Sequence, residues 1–321
     1  MTKVAVLDDW QGIAEESADW SPLKARAEIS FFADAFSGED EAAAALADFE
    51  IVLTMRERTP FPASLIARLP KLRLIGMTGS RNASLDLAAC KARGITVSNT
   101  ETRGNSGSAT AELALGLLIA CARGIPVGDA TIRAGGFQHG VPVGETLAGK
   151  TLGIIGLGRL GRMMAGYGQA LGMKVLAWSQ NLTPIAASQA GFDYATKDDL
   201  LAESDAVSLH LVLSDRTRGI LGSDDLARMK PRAILINTSR AGLVDQSALQ
   251  AALREGRIRA GLDVFTDEPL GKTDPWRTMP NTVLTPHIGY GVAETWADFY
   301  PQSVENALAF LDGKPIRTIS A

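Results

Sequence analysis

Short apolar runs alternate with amphipathic stretches from one end of the chain to the other. In the first hundred residues the runs fall at 4–7, 29–32, 51–54, 72–76 and 95–98, with helical patterns over 38–48, 62–68 and 85–93 between them. A second series has runs at 151–156, 174–178, 206–211, 233–237, 260–264 and 283–285, again separated by helical patterns. Strand and helix taking turns in this way is the signature of βαβ units and parallel sheets. The polar stretch 99–107 between the two series has the composition of a linker or a loop between domains. Residues 109–122 then form a helix apolar nearly all round, expected to be buried between layers. Gly124, Gly128, Gly135, Gly136 and Gly140 punctuate what is expected to be an irregular segment up to Glu145. Ser223 and Asp245 are expected N-caps, Gly94 and Gly256 expected helix-ending glycines, and a last helical pattern covers 293–311.

Composition narrows the functional classes. At roughly 150 residues per domain, 321 residues suggest two domains. Lys and Arg number 32 against 36 Asp and Glu, a net charge of −4, so no basic surplus points to nucleic acid. The longest apolar run, 113–122, is far short of the roughly 20 residues a membrane span needs. The N-terminus enters a strand pattern at once, without a charged leader and cleavage site. Cys90 and Cys121 cannot build a disulfide framework or a CxxC metal site, so a reducing cytoplasm is expected and no metal is implied.

Chemistry enters at the ends of the apolar runs. Gly156-Leu157-Gly158-Arg159-Leu160-Gly161 places GxGxxG after a strand and before a helix. In that context Gly156 permits the tight turn, Gly158 the approach of a pyrophosphate, and Gly161 the packing of helix on strand. The free N–H groups and dipole of the helix start then face the phosphates. An acidic residue is expected about 20 positions on, at the adenosine ribose. The sequence there is Ser179-Gln180-Asn181, with neither acid nor arginine. Among three histidines, His139 reads as solvent-facing and His210 as a structural residue inside an apolar strand. His287, in Thr285-Pro286-His287-Ile288-Gly289, lies just past a strand end, where ligand sites of parallel sheets gather. Arg240 follows another strand, and Asp263, Asp267 and Glu268 follow a third. An arginine is a forked donor for a carboxylate, and a carboxylate beside a histidine makes it a competent proton donor.

Together with Ala111-Glu112-Leu113-Ala114-Leu115-Gly116, Asn237-Thr238-Ser239-Arg240 and Leu262-Asp263-Val264-Phe265 with Glu268-Pro269, these motifs make the sequence resemble the D-isomer-specific 2-hydroxyacid dehydrogenases over essentially its whole length. The resemblance implies an α/β fold of two Rossmann/flavodoxin-like doubly wound parallel-sheet domains with the active site in the interdomain cleft. Residues 1–103 plus 293–321 would form the substrate-binding domain and 104–292 the dinucleotide-binding domain. The reaction implied is reduction of a 2-oxo acid to a (D)-2-hydroxy acid, as in glyoxylate or hydroxypyruvate reductases and phosphoglycerate dehydrogenases. Arg240 would bind the substrate carboxylate, His287 would be the acid/base, and Glu268 its partner. Gly156, Gly158, Arg159, Leu160, Gly161, Ser179, Thr238, Ser239, Asp263 and Gly289 would line the cofactor site. Arg56, Ser80 and Arg81 would join Arg240 in holding the substrate, Arg56 taking a second anionic group.

NAD is the implied cofactor and NADP the alternative, because Ser179 stands where NAD-preferring relatives often carry Asp. Leu211-Val212-Leu213 and Tyr290 also depart from the family pattern. The acidic Glu268 argues against formate oxidation, which uses a glutamine beside the histidine. A homodimer formed largely through the second domain is implied, with neither membrane nor nucleic acid as partner. The rival reading is a dinucleotide-sensing corepressor-like binding protein of the same fold. It is disfavoured because no long extension for partner docking follows the last helical pattern.

Overall fold

In the computed structural model, which describes residues 1–102 and 107–319, the alternating pattern resolves into two parallel sheets. The first is built from β1 (Thr2–Val6), α1 (Ser21–Lys24), β2 (Ala27–Phe31), α2 (Glu39–Leu46), β3 (Ile51–Thr54), α3 (Ala63–Ala67), β4 (Leu74–Met77), α4 (Leu87–Ala92) and β5 (Thr96–Asn99). Its strand order is β2-β1-β3-β4-β5. β1 pairs with β2 on one side and β3 on the other, and this reversal opens a crevice at the carboxyl ends of β1 and β3. Every residue of β3 and β4 is buried, as a sheet covered on both faces requires. Asp86 caps α4 by accepting from Ala89 N, and Gly94 leaves that helix at φ +67°.

The second sheet begins after α5 (Ala109–Arg123) and α6 (Ile125–Arg133). It runs through β6 (Thr151–Ile155), α7 (Arg159–Ala170), β7 (Lys174–Trp178), α8 (Pro184–Gln189), β8 (Asp193–Tyr194), α9 (Lys197–Glu203), β9 (Ala206–Leu209), α10 (Ser223–Arg228), β10 (Ile234–Asn237), α11 (Gln246–Arg254), β11 (Arg259–Leu262) and β12 (Thr282–Leu284). All pairings are parallel, in the order β12-β11-β10-β9-β6-β7-β8, and the reversal here lies between β6 and β9. Leu117, Leu118 and Ala122 of α5 pack with Ile154, Met164 and Ile236 in one core layer. Leu209, Leu235, Leu253 and Leu262 occupy the other.

The chain divides into two compact units, Met1–Gly107 with Gly291–Ala321, and Ser108–Tyr290. The last helix, α12 (Ala293–Leu311), belongs to the first unit. There Asn306 Nδ2 donates to Asn99 O at 2.8 Å, and Trp20 stacks edge-on with Phe31 and packs against Tyr300. Beyond α12, Thr318 bridges Ser98 antiparallel at the sheet's β5 edge.

Four expectations are corrected. The stretch 99–107 is not simply a linker. Asn99 closes β5, Thr100 is wholly buried and accepts from Gly79 N, and the Glu101 backbone exchanges hydrogen bonds with the Gln302 amide. Arg103–Ser106, and with them the expected domain boundary at 103/104, lie outside the described residues. The expected irregular segment after Gly124 contains α6, because the left-handed Gly124 ends α5 and starts a new helix at a bend of 67° with Pro126 in its first turn. The N-cap of α10 is Gly222, not Ser223, its N–H donating to Asp225 Oδ2 at 3.0 Å. Finally, the strand expected at 206–211 stops at Leu209, so His210 stands outside it. The two-residue β8 was too short to leave a pattern. Among the described residues no single helix is long and apolar enough to cross a membrane.

Candidate active site

Because the strands of the second unit are all parallel, their carboxyl ends share one edge. The ladder continues past the strands themselves. Thr285 N donates to Leu262 O, Asp263 N to Asn237 O, His210 N to Ile155 O and Gly156 N to Trp178 O, all within 3.0 Å. The Ser239 hydroxyl reaches Leu209 O at 2.7 Å. The residues singled out after β12, β11, β10, β6 and β7 are thereby locked into a single row.

At one end of that row stands His287. Its Nδ1 lies 2.5 Å from Glu268 Oε2, and the other carboxylate oxygen, Oε1, accepts from Phe265 N at 2.7 Å. The pair is partly open, the two side chains being 24% and 23% exposed. Nε2 is the ring nitrogen outside that bond. His287 has φ +52°, the left-handed region that non-glycine residues seldom adopt. Asp263 holds it there. Its carboxylate is wholly buried and accepts from the Thr285 hydroxyl at 2.6 Å, Ile288 N at 2.9 Å and Gly289 N at 2.8 Å. Burial pushes the Asp263 carboxyl above its ordinary value, while the three donors and His287 pull it back. Gly289 has no room for a side chain, since a Cβ there would lie 2.9 Å from Asp263 Oδ2. The Tyr290 ring meets the His287 ring edge-on, with centroids 5.8 Å apart.

Next in the row is the β10 end. The fully buried Asn237 accepts from Ser239 N and donates to Arg240 O, shaping the turn that carries Arg240. Arg240 Nη1 donates to Ser239 O. His210, one residue past β9, is bonded through Nε2 to Ser208 Oγ at 2.9 Å. Burial pushes its pKa down to about 4, so the ring is neutral at physiological pH. It therefore stands on the ligand edge instead of inside a strand.

The glycine turn follows. Gly156 has φ +102°, and a Cβ there would sit 2.6 Å from His210 O. A Cβ at Gly161 would sit 2.0 Å from Gly156 O, whereas Gly158 faces open space. Two positions too tight for a side chain and one left open are what a backbone cradle for a pyrophosphate requires. Thr238 Oγ1 and His210 Nδ1 are buried on this edge without a protein partner among the described residues, as the lining of a polar ligand site would be. The residues therefore fit a dinucleotide. Arg159 and Leu160 open α7, and Ser179 follows β7, half-buried.

The first unit has its own strand-end cluster. Arg56, at φ +54°, donates its N–H to Thr78 Oγ1 and accepts from Asn82 Nδ2, both at 2.8 Å. Its guanidinium lies against Gly79, with Nη1 only 1.8 Å from where a Cβ would stand. Arg56 and the loop 78–82 are thus brought together, with Ser80 and Arg81 exposed on that loop. Arg58 is placed differently. It donates to Asp8 O at 2.7 Å and covers the Trp10 ring at 4.3 Å. Asp8 in turn accepts from Thr59 N and the Thr59 hydroxyl. The sequence did not single out Asp8, Trp10 and Thr59, whose only signal was a position one to five residues past an apolar run, and Thr285, quoted within the His287 motif, gave no sign of its bond to Asp263.

A model of the D-isomer specific 2-hydroxyacid dehydrogenase NAD-binding domain matches residues 115–289. The chain is 38% identical to a glyoxylate reductase of Aeropyrum pernix over 258 residues, 78% of this chain and 76% of that protein. It is 39% identical to a D-3-phosphoglycerate dehydrogenase of Mycobacterium tuberculosis over 243 residues, 75% of this chain. That match spans only 46% of the mycobacterial protein's length. The crystal structure of a phosphoglycerate oxidoreductase from Vibrio cholerae superposes with a TM-score of 0.91 at 34% identity, covering 98% of this chain and 100% of that one. The chain belongs to the D-isomer specific 2-hydroxyacid dehydrogenase family. It carries that family's NAD-binding domain, and its cofactor is NAD(P).

Proposed function

We propose that the protein reduces a small 2-oxo acid to the (D)-2-hydroxy acid with NAD(P)H, glyoxylate, hydroxypyruvate and phosphohydroxypyruvate being the leading substrate candidates. The observation that carries this reading is the His287–Glu268 pair at 2.5 Å on the same strand-end edge as the Gly156–Gly161 turn. NAD(P)H, when bound, supplies the hydride. Gly156, Gly158, Arg159, Leu160 and Gly161 hold the pyrophosphate, Ser179 faces the adenosine ribose, and Thr238, Ser239, Asp263 and Gly289 line the remainder of the cleft. Arg240 takes the substrate carboxylate through its forked donors. Glu268 accepts from His287 Nδ1 and stabilises the imidazolium, so that Nε2 delivers the proton to the carbonyl oxygen. Arg56, Ser80 and Arg81 of the first unit bind substrate, Arg56 as the partner of a second anionic group.

A homodimer belongs to the same reading. α6 buries none of its residues, and Ile125, Val127 and Ile132 on it, with Phe137 and Val143 beyond it, are exposed. Apolar surface of this kind marks an interface. The cytoplasm, where the free thiols Cys90 and Cys121 stay reduced, is the matching compartment. The test is oxidation of NADH and of NADPH by the purified protein over glyoxylate, hydroxypyruvate, phosphohydroxypyruvate, pyruvate and bulkier 2-oxo acids. Turnover with at least one, giving the D product, is expected. Silence with all of them would remove the reading, and sedimentation as a monomer would remove the dimer.

A further inference from the structure

The residues directly after β7 leave the adenosine end of the site without a charge, since Ser179, Gln180 and Asn181 are all neutral. The structure brings the backbone of an arginine, Arg216, there from a different loop. The segment after β9 starts against the glycine turn: His210 O is 2.6 Å and Leu211 Cδ2 2.9 Å from where a Cβ on Gly156 would stand. It ends beside β7, where Gln180 Nε2 donates to Arg216 O at 2.9 Å. Between these anchors it runs from the pyrophosphate turn to the ribose end.

Its shape is fixed from within. The buried Thr217 donates its hydroxyl to Val212 O at 2.7 Å and accepts from Ser214 N at 2.8 Å. Arg218 N donates to Ser214 O. This staple leaves Val212 80% exposed, an apolar face in the middle of the span, and turns the Arg216 side chain to the outside. The neighbouring Arg218 does not compete for the same place, because its guanidinium packs at Gly242, on the β10 side.

We infer that Arg216 is the cation that receives the adenosine 2′-phosphate of NADP, with Val212 against the adenine face and the Ser179 hydroxyl as a neutral companion. An arginine near the ribose accommodates a 2′-phosphate, and the missing carboxylate at 179 removes the group that would repel it. Asp215, also exposed and next to Arg216 in the chain, opposes its field. The chain thus prefers NADP through a residue 37 positions beyond Ser179 in sequence. This inference rests on the dinucleotide reading of the site.

The experiment is calorimetric binding of adenosine 2′,5′-bisphosphate and of 5′-AMP, which differ only in the 2′-phosphate, to the intact protein. Wild type should bind the bisphosphate about tenfold tighter or more, as a charge-assisted hydrogen bond predicts, with the gap shrinking as salt rises. Arg216→Ala should close the gap while moving 5′-AMP affinity less than about twofold, and Arg216→Lys should restore most of it. Asp215→Asn should widen it. Equal binding of the two nucleotides by wild type, a gap that survives in Arg216→Ala, or an equal loss of both nucleotides in that variant would each overturn the inference. A wild type that binds neither nucleotide would instead overturn the dinucleotide reading, and this inference with it.

Discussion

Each unit places an arginine or histidine in a left-handed backbone conformation at a strand end, Arg56 at φ +54° and His287 at φ +52°. Each also uses an aspartate after one strand to clamp the loop after its neighbour. Asp8, past β1, accepts from Thr59 in the loop after β3. Asp263, past β11, accepts from Thr285, Ile288 and Gly289 after β12. The difference lies in what each clamp presents. Asp263 fixes a turn whose imidazole is bonded to the Glu268 carboxylate, a pair suited to moving a proton on the proposed reading. Asp8 seats a loop that carries Arg56 and Arg58, side chains that keep their charge. The lesson is that one device, a buried aspartate at the edge of a parallel sheet, supports either chemistry according to the residue it carries.

The sharpest way to break the comparison is His287→Asn. It keeps the turn and removes the proton, so kcat should fall about 10²–10⁴-fold with dinucleotide affinity preserved. A variant keeping more than half of wild-type kcat in single-turnover assays would strip His287 of its role.

The second test concerns the clamps themselves. Burial pushes the Asp8 pKa from 3.8 up to about 6 despite its Thr59 donors and Arg58. The native state therefore holds the proton more tightly than the unfolded chain does. The stability Asp8 contributes is full below about pH 4 and is lost as pH rises through 6. Across that window the loss is roughly 3 kcal/mol. Asp8→Asn cannot titrate, so urea unfolding of variant and wild type should diverge by that amount between pH 4 and 7. Parallel curves would show that Asp8 does not titrate there.

Next in size is Arg56→Ala. It should lose roughly 1.5–3 kcal/mol in kcat/KM for a substrate with a phosphate or distal carboxylate, and much less for pyruvate. Equal losses for both would make Arg56 a residue that orients the common carboxylate. The smallest effect is expected from Trp10→Leu. Removing the ring under Arg58 should reduce stability by about 0.5–1 kcal/mol and leave 5′-AMP binding to the second unit unchanged. A larger change in nucleotide affinity than in stability would contradict the separation of the two clusters.

How far the sequence alone carries differs between these two clusters. In the second unit the hydrophobic alternation located every strand except β8, and the motif residues fell past strand ends, so His287, Glu268, Asp263 and Arg240 could be singled out, their roles being supplied by the family resemblance. The clamp itself could not, because Thr285 and the Ile288 and Gly289 amides act through hydrogen bonds that no spacing reveals. In the first unit local composition does not distinguish Arg56 from Arg58, two cations around Glu57, and Arg56 is singled out by the family resemblance alone. Only packing separates them, one over Gly79 and the other on Trp10. Arg216 was invisible for a simpler reason: proximity in sequence was the criterion, and the parallel topology brings β9's loop beside β7's across β6. The expected irregular segment failed at Gly124, where a glycine that ends one helix also opens another.

The return of α12 to the first unit has a consequence for synthesis. The second unit is one continuous stretch, Ser108–Tyr290, and can close as soon as it has emerged from the ribosome. The first unit cannot, although its strands are translated earlier. The faces of β4 and β5 that receive α12, and the Asn99 carbonyl that Asn306 caps, stay uncovered until α12 itself has been made. Of the two units, the one begun first is therefore the later to be completed. During that interval its buried leucines and isoleucines are the surface most in need of a chaperone, and a nascent chain can hold a folded dinucleotide-binding unit before the first unit is complete.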